Sequence, residues 1–268
     1  MRAAALAAVF CLIALPGWAD ARVSVLMDAL RIPELVSALR AEGLSDAQSL
    51  NETMLNGQGG AFWQGQVSQL YAAGPIEDGF FNALKHGMDD AALDAAVAFF
   101  DSVPGQEIVK LEIAARGAMM ETGVEEAAAE AYAALPQDDE YARQIAAFVA
   151  ANDLLELNVA LTMSASYQFS RGLADGGLLD MNEEQILAQV WASEPSLRQE
   201  AESWLFGYFF LAQQSLPIED LQAYVAFAES AAGAELNVAL FAGYEAVFTD
   251  IAYGLGRAVA LNAAGNDI

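Results

Sequence analysis

The feature that most constrains this chain is a segment that occurs twice. Met88–Glu121 reads MDDAALDAAVAFFDSVPGQEIVKLEIAARGAMME, and Leu216–Thr249 reads LPIEDLQAYVAFAESAAGAELNVALFAGYEAVFT. At a constant offset of 128 and with no gap, Leu93 falls on Leu221, Val97 on Val225 and Phe99 on Phe227. Ser102 then falls on Ser230, Gly105 on Gly233 and Glu107 on Glu235. Apolar residues recur at helical spacing on both sides of a sharp break, so each copy reads as an αα-hairpin. Ser102 and Ser230 suit helix N-caps, because a side-chain oxygen can accept from an otherwise unpaired N–H of the first turn. Pro104 sits in that first turn, where its missing N–H costs nothing. The following helix carries the stripe Ile108, Leu111, Ala115 and Ala118, matched in the copy by Leu236, Ala239, Leu240, Gly243 and Val247.

Gly105 and Gly233 stand at a helix start, where glycine is a poor former. Close approach of two backbones is the simpler explanation. The other is a small anion on the helix N-terminus.

The same residues carry a resemblance. AVAFFDSVPGQEIVKLE resembles the core of the bacterial domain-of-unknown-function family numbered 2059, through Phe99, Phe100, Ser102, Pro104, Gly105 and Ile108. Phe227, Ser230, Gly233 and Leu236 match less fully, since Ala232 stands where the first copy has Pro104. Both copies together cover about a quarter of the chain. The resemblance implies two tandem copies of an exported, all-helical unit and supplies no activity.

The likeness between the halves extends further. EGLSD at 42–46 is similar to RGLAD at 171–175, Trp63 falls on Trp191, and Phe81 falls on Phe209. Strong helix formers dominate, and no run of alternating β-branched residues is found. The expected fold is all-α: two tandem, duplicated helical units, 20–136 and 137–268, each ending in a long αα-hairpin. Caps and breakers place the other helices. Gly43 is expected to end a helix over 33–41 before another begins at Asp46. Helices over 183–191 and 195–213 are expected to be separate, split at Pro195.

Residues 1–19 read as a secretory signal peptide: Arg2, an apolar run to Leu15, then Pro16-Gly17 and a cut after Ala19. The run is short for a membrane span. The expected location is periplasmic or secreted, with no stable membrane span after the signal is removed. The single cysteine, Cys11, lies in that run, so a processed chain would have no disulfide, thiol catalysis or thiolate metal site. With 11 basic against 37 acidic residues, the chain lacks the basic stripe that a nucleic-acid partner requires. Acidity at this level is most simply a solubility device on solvated helix faces.

Little in the sequence carries chemistry. His86 is the one histidine, in NALKHGMDD, without a nucleophile elbow or a second metal ligand nearby. The acid pairs Asp89-Asp90, Glu125-Glu126, Asp138-Asp139 and Glu183-Glu184 stand where helices begin, and there they complement the helix dipole. Glu107–Lys110 and Glu112–Arg116 have helical neighbour spacing and read most simply as surface pairs, although Arg116 lies near the apolar stripe and could be partly buried against an acid. No cofactor or metal is expected.

The stretch from Trp204 to Leu211 is apolar almost all round. Such a helix is usually core. Alternatively Trp204, Tyr208 and Phe209 wall an apolar ligand cavity. The reading that follows is an exported, non-catalytic helical interaction or structural protein, acting on an unknown protein partner. The alternative is a periplasmic carrier of a lipid or other apolar ligand. An acid-dependent hydrolase is a third reading, resting only on abundant carboxylates. A filled interior around Trp204–Leu211 favours the first reading. A cavity of roughly 300 Å³ or more favours the second.

Overall fold

Helices account for nearly all of the computed structural model, which describes residues 17–136 and 138–265. The expected signal peptide lies outside the described residues up to position 16. In chain order the helices are α1 (Gly17–Ala29), α2 (Ile32–Met54), α3 (Gly60–Leu70), α4 (Ala73–Gly87), α5 (Asp90–Phe100) and α6 (Val103–Met119). They continue with α7 (Val124–Ala133), α8 (Glu140–Ala151), α9 (Leu154–Asp175), α10 (Glu183–Gln213), α11 (Ile218–Ala228) and α12 (Ala231–Gly265). There is no strand among the described residues, so the all-α expectation holds.

Two expected breaks do not occur. α2 runs straight through Gly43, whose missing side chain makes room for the Tyr71 ring: a Cβ there would overlap it. The intrinsic cost of a helical glycine, about 1 kcal/mol, is offset by this packing. α10 likewise runs through Pro195. The serines on either side occupy nearby carbonyls: Ser193 Oγ donates to Val190 O at 2.8 Å, and Ser196 Oγ donates to Ser193 O at 3.0 Å. α6 and α7 are separated at Gly123, whose φ of 80° is one that glycine adopts without strain.

Both hairpin corners are built alike. Ser102 Oγ donates to Phe99 O at 2.5 Å and accepts from Gly105 N at 3.2 Å. Ser230 Oγ donates to Phe227 O at 2.6 Å and accepts from Gly233 N at 3.1 Å. A Cβ on Gly105 would run into the Phe99 carbonyl, and a Cβ on Gly233 into the Phe227 carbonyl. Both glycines are therefore there for close packing. At both corners the glycine N–H is already spent on the serine and has no hydrogen left for an anion.

The acid pairs do what their positions suggest. Asp89 caps α5 by accepting from Ala92 N, and Asp139 caps α8 by accepting from Ala142 N. Glu125 and Glu126 lie in the first turn of α7, and Glu183 and Glu184 in that of α10. His86 is exposed at the end of α4, with Nδ1 2.7 Å from Asn82 O.

α12 runs through the middle of the molecule, against α9, α4, α5 and α3. Its crossing with α9 is tight, since Gly172 faces Tyr253 O and Gly256 faces Phe169 O. α12 is long and apolar enough to cross a membrane. Leu236, Ala239, Ile251, Leu255 and Val259 are buried against the neighbouring helices, but 28% of its most apolar stretch is buried, so packing accounts for only part of that apolarity. One buried cluster runs across the Pro136 junction, holding Phe80, Leu84 and Ile108 from one side and Ile145, Phe209 and Val259 from the other. At about 1.5–3 kcal/mol for each large apolar side chain buried, this shared core is what fixes the two halves together. The hairpins meet face to face: Phe99 stacks on Phe227, with ring centroids 4.5 Å apart and planes 13° from parallel.

Candidate functional site

Beside that stacked pair is a cavity of about 280 Å³. Its walls come from α6, α10, α11 and α12, with contributions from α2, α5, α8 and α9. Trp204, Tyr208 and Phe209 of α10 all line it. Trp204 and Tyr208 stack in parallel at 4.8 Å, because residues four apart share one helix face. Of the hairpin signature residues, Phe227 and Gly233 also reach the cavity. Phe99, Ser102, Pro104 and Gly105 do not line it; they hold the corner that places α6.

Two charged side chains enter this lining, Glu112 and Arg116, one turn apart on α6. Their expected role as a surface pair is incorrect. Counting along α6, Ile108, Glu112, Ala115, Arg116 and Met119 share the inward face, so the charges are in phase with the buried stripe. Glu107 and Lys110 point outward and do form the expected surface pair at 3.2 Å. Arg116 instead donates through Nη1 to Glu42 on α2 at 3.0 Å, and both side chains are mostly covered, at 17% and 26% exposed. The Arg116 guanidinium also lies 5.6 Å from the Trp204 ring centroid and 6.0 Å from that of Tyr208. Such stacking favours a cation on an aromatic face.

Glu112 keeps some accessible surface, but that surface faces the cavity. Tyr208 Oη donates to the Glu112 backbone carbonyl at 3.0 Å, and Gln213 Nε2 approaches Oε1 at 3.5 Å. Burial pushes the Glu112 carboxyl up to about 7, against the opposing pull of hydrogen bonds from Tyr224 and Gln213 and of the Arg116 charge. Glu42 is raised as well, by burial first, with Arg116 pulling it down and Asp46 pushing it up. Burial also works against the Arg116 charge, yet Tyr244, Tyr208, Glu42 and Glu112 more than offset it and hold its pKa above the ordinary value. Tyr208, Tyr224 and Tyr244 are all raised by burial and stay neutral donors.

A second, larger hollow of about 840 Å³ lies between α3, α4 and α12. Its rim carries the exposed acids Asp78 and Asp250, so it is open to water and lacks the enclosed aromatic wall of the first. Among the described residues no group of three or more His, Cys, Asp or Glu side chains is placed to hold a metal ion.

Glu42 and Glu112 are functional candidates that a reading of the sequence passed over, whereas burial of Arg116 against an acid is the alternative that its place near the apolar stripe allowed. The internal likeness held the signal. At the offset of 128, Glu112 falls on Leu240 and Arg116 on Tyr244, and these two also line the cavity. A charge in one copy where the other has an apolar residue at a buried position marks a departure from simple packing.

No curated protein and no solved structure matches this chain. One family model does: residues 75–133, which run from α4 to the end of α7 and include the Ser102 corner, Glu112 and Arg116, match the family described as "Uncharacterized protein conserved in bacteria (DUF2059)".

Proposed function

We propose that this chain is an exported, non-catalytic helical protein that binds a small, largely apolar molecule between its two halves. The observation that carries this reading is the cavity of about 280 Å³ walled by Trp204, Tyr208 and Phe209. Ligand pockets start at roughly 300 Å³, so the space falls just short of that range. It is too small for a diacyl lipid, which narrows the carrier reading to a compact ligand. The signal-like start of the chain supports export to the periplasm or beyond.

The reading includes a duplication of two tandem units. At an offset of 128, α1 corresponds to α8, α2 to α9, α5 to α11, and α6 to the first half of α12. α3 and α4 together correspond to α10, in which Pro195 is carried through. α1 packs on α5 as α8 packs on α11, and α4 packs on α12 as α10 packs on α6. The stacked Phe99 and Phe227 sit where a two-fold axis between the copies would pass. On this reading the cavity is a junction site: one copy supplies the charges and the other most of the aromatic wall.

Native mass spectrometry of protein purified from its own host tests the proposal. A retained small molecule is expected, and it is expected to be absent from Leu240→Trp protein, in which a larger side chain fills the space. A wild-type protein that carries nothing, and whose tryptophan fluorescence no apolar probe alters, would overturn it.

One observation favours interaction with a protein partner as a second reading. Trp191 is 66% exposed and Leu187, one turn away, is 40% exposed, whereas Trp63, at the matching position of the first half, is 3% exposed. Trp191→Ser is expected to change stability by no more than about 0.5 kcal/mol, as surface substitutions do, while removing cross-links to a partner in the host. Undiminished cross-linking would rule this surface out.

A further inference from the structure

The two charged groups of the cavity differ in how far they are compensated. Arg116 already has a counter-charge, Glu42 at 3.0 Å, and two aromatic faces beneath its guanidinium. Glu112 has no ion pair of its own: Arg116, one turn away and already paired with Glu42, acts on it only at a distance, and among the described residues its hydrogen-bond partners are neutral, the Tyr224 hydroxyl and the Gln213 amide. With all three groups ionised, Glu42, Arg116 and Glu112 carry one more negative charge than positive. A carboxylate taken out of water without a counter-ion is costly, and a ligand that brings a positive charge removes that cost. The rest of the wall suits the same ligand, since Trp204, Tyr208, Phe148, Tyr224 and Tyr244 line the cavity with rings that attract a desolvated cation. An anionic ligand meets the reverse: it has to displace Glu42 from Arg116 and lie beside a like charge.

We infer that the cavity takes a small organic cation, an alkyl- or arylammonium, with its nitrogen against the Glu112 carboxylate and its apolar body among the rings of α10, α11 and α12. This rests on the small-ligand reading above and adds the sign of the ligand's charge. Gln213 is a positioning residue in this arrangement. Fully buried, it places its amide against Oε1 of Glu112 from behind, outside the cavity lining.

Three probes of one size separate the possibilities: phenethylammonium, 2-phenylethanol and 3-phenylpropionate, each titrated by calorimetry at pH 8 against the full chain. Phenethylammonium is expected to bind about tenfold or more tighter than 2-phenylethanol, as a charge-assisted contact together with a cation over aromatic faces warrants. Glu112→Gln, which keeps the shape and removes the charge, is expected to abolish the preference for the amine over the alcohol. Glu112→Asp is expected to keep part of it. Equal binding of the amine and the alcohol to wild-type protein would overturn the inference and leave the small-ligand reading intact. Tighter binding of 3-phenylpropionate would overturn it in favour of Arg116 as the anchor. Binding of none of the three would sink both readings. The wild-type comparison decides even where a Glu112 variant fails to fold.

Discussion

Gly105→Ala and Gly233→Ala are each expected to destabilise the protein by about 3 kcal/mol, the upper end of what overpacking usually costs. The new methyl would meet backbone, the carbonyls of Phe99 and Phe227, which cannot swing aside as a flexible side chain would. Relief requires opening the corner between α5 and α6, or between α11 and α12. That movement also disturbs the serine bridge and the stacked Phe99–Phe227 pair. Gly117→Ala is the control. It lies on the same helix as Gly105, with nothing within 4 Å of the added Cβ, so it is expected to stabilise by about 1 kcal/mol through helix propensity alone. Urea midpoints at unchanged slope measure all three. If Gly105→Ala and Gly117→Ala move the midpoint in the same direction, the close approach at the corner is not what the glycine is for.

Glu112 is expected to make the protein less stable as pH rises from about 4.5 to above 7. The buried carboxyl has a pKa of about 7 when folded against 4.5 when exposed. Below 4.5 it is protonated in both states, and folding is unaffected by it. Between the two values the unfolded chain releases the proton and the folded chain retains it, so stability falls with pH, by up to about 1.4 kcal/mol per unit. The loss sums to about 3 kcal/mol by pH 8. The charged and titratable groups that face it are Arg116 on α6, Tyr208 on α10, Tyr224 on α11 and Tyr244 on α12, with Glu42 on α2 beyond Arg116. Glu42 and Asp46 are also raised and add to the same trend, and so does self-repulsion in a chain of net charge −26. The difference between wild type and Glu112→Gln isolates the single group. The variant is expected to match wild type near pH 4.5 and to be the more stable by about 3 kcal/mol at pH 8. A difference that stays constant with pH would show that Glu112 ionises as freely as a surface acid.

Both predictions concern residues whose neighbours come from distant parts of the chain, and that bears on how far the sequence could be read. The serine caps, the acids at helix starts and the hairpin corners were legible because each depends on residues a few positions away. Local spacing was a poorer guide at Gly43 and Pro195, where helices continue through residues that normally end them. In the first case the Tyr71 ring fills the space a side chain would take. Trp204, Tyr208 and Phe209 could be recognised as a wall without knowing whether anything empty lay behind them.

The repeat and its helical period set the fold class, the corner chemistry and the inward stripes, since helix geometry follows from neighbours one turn apart. Tertiary structure alone decided that the face carrying Glu112 and Arg116 borders an open space, that Arg116 takes Glu42 as its partner, and that this space remains beside the stacked phenylalanines. Burial and charge pairing between helices remote in sequence depend on how those helices cross, and a one-dimensional pattern carries no crossing angle.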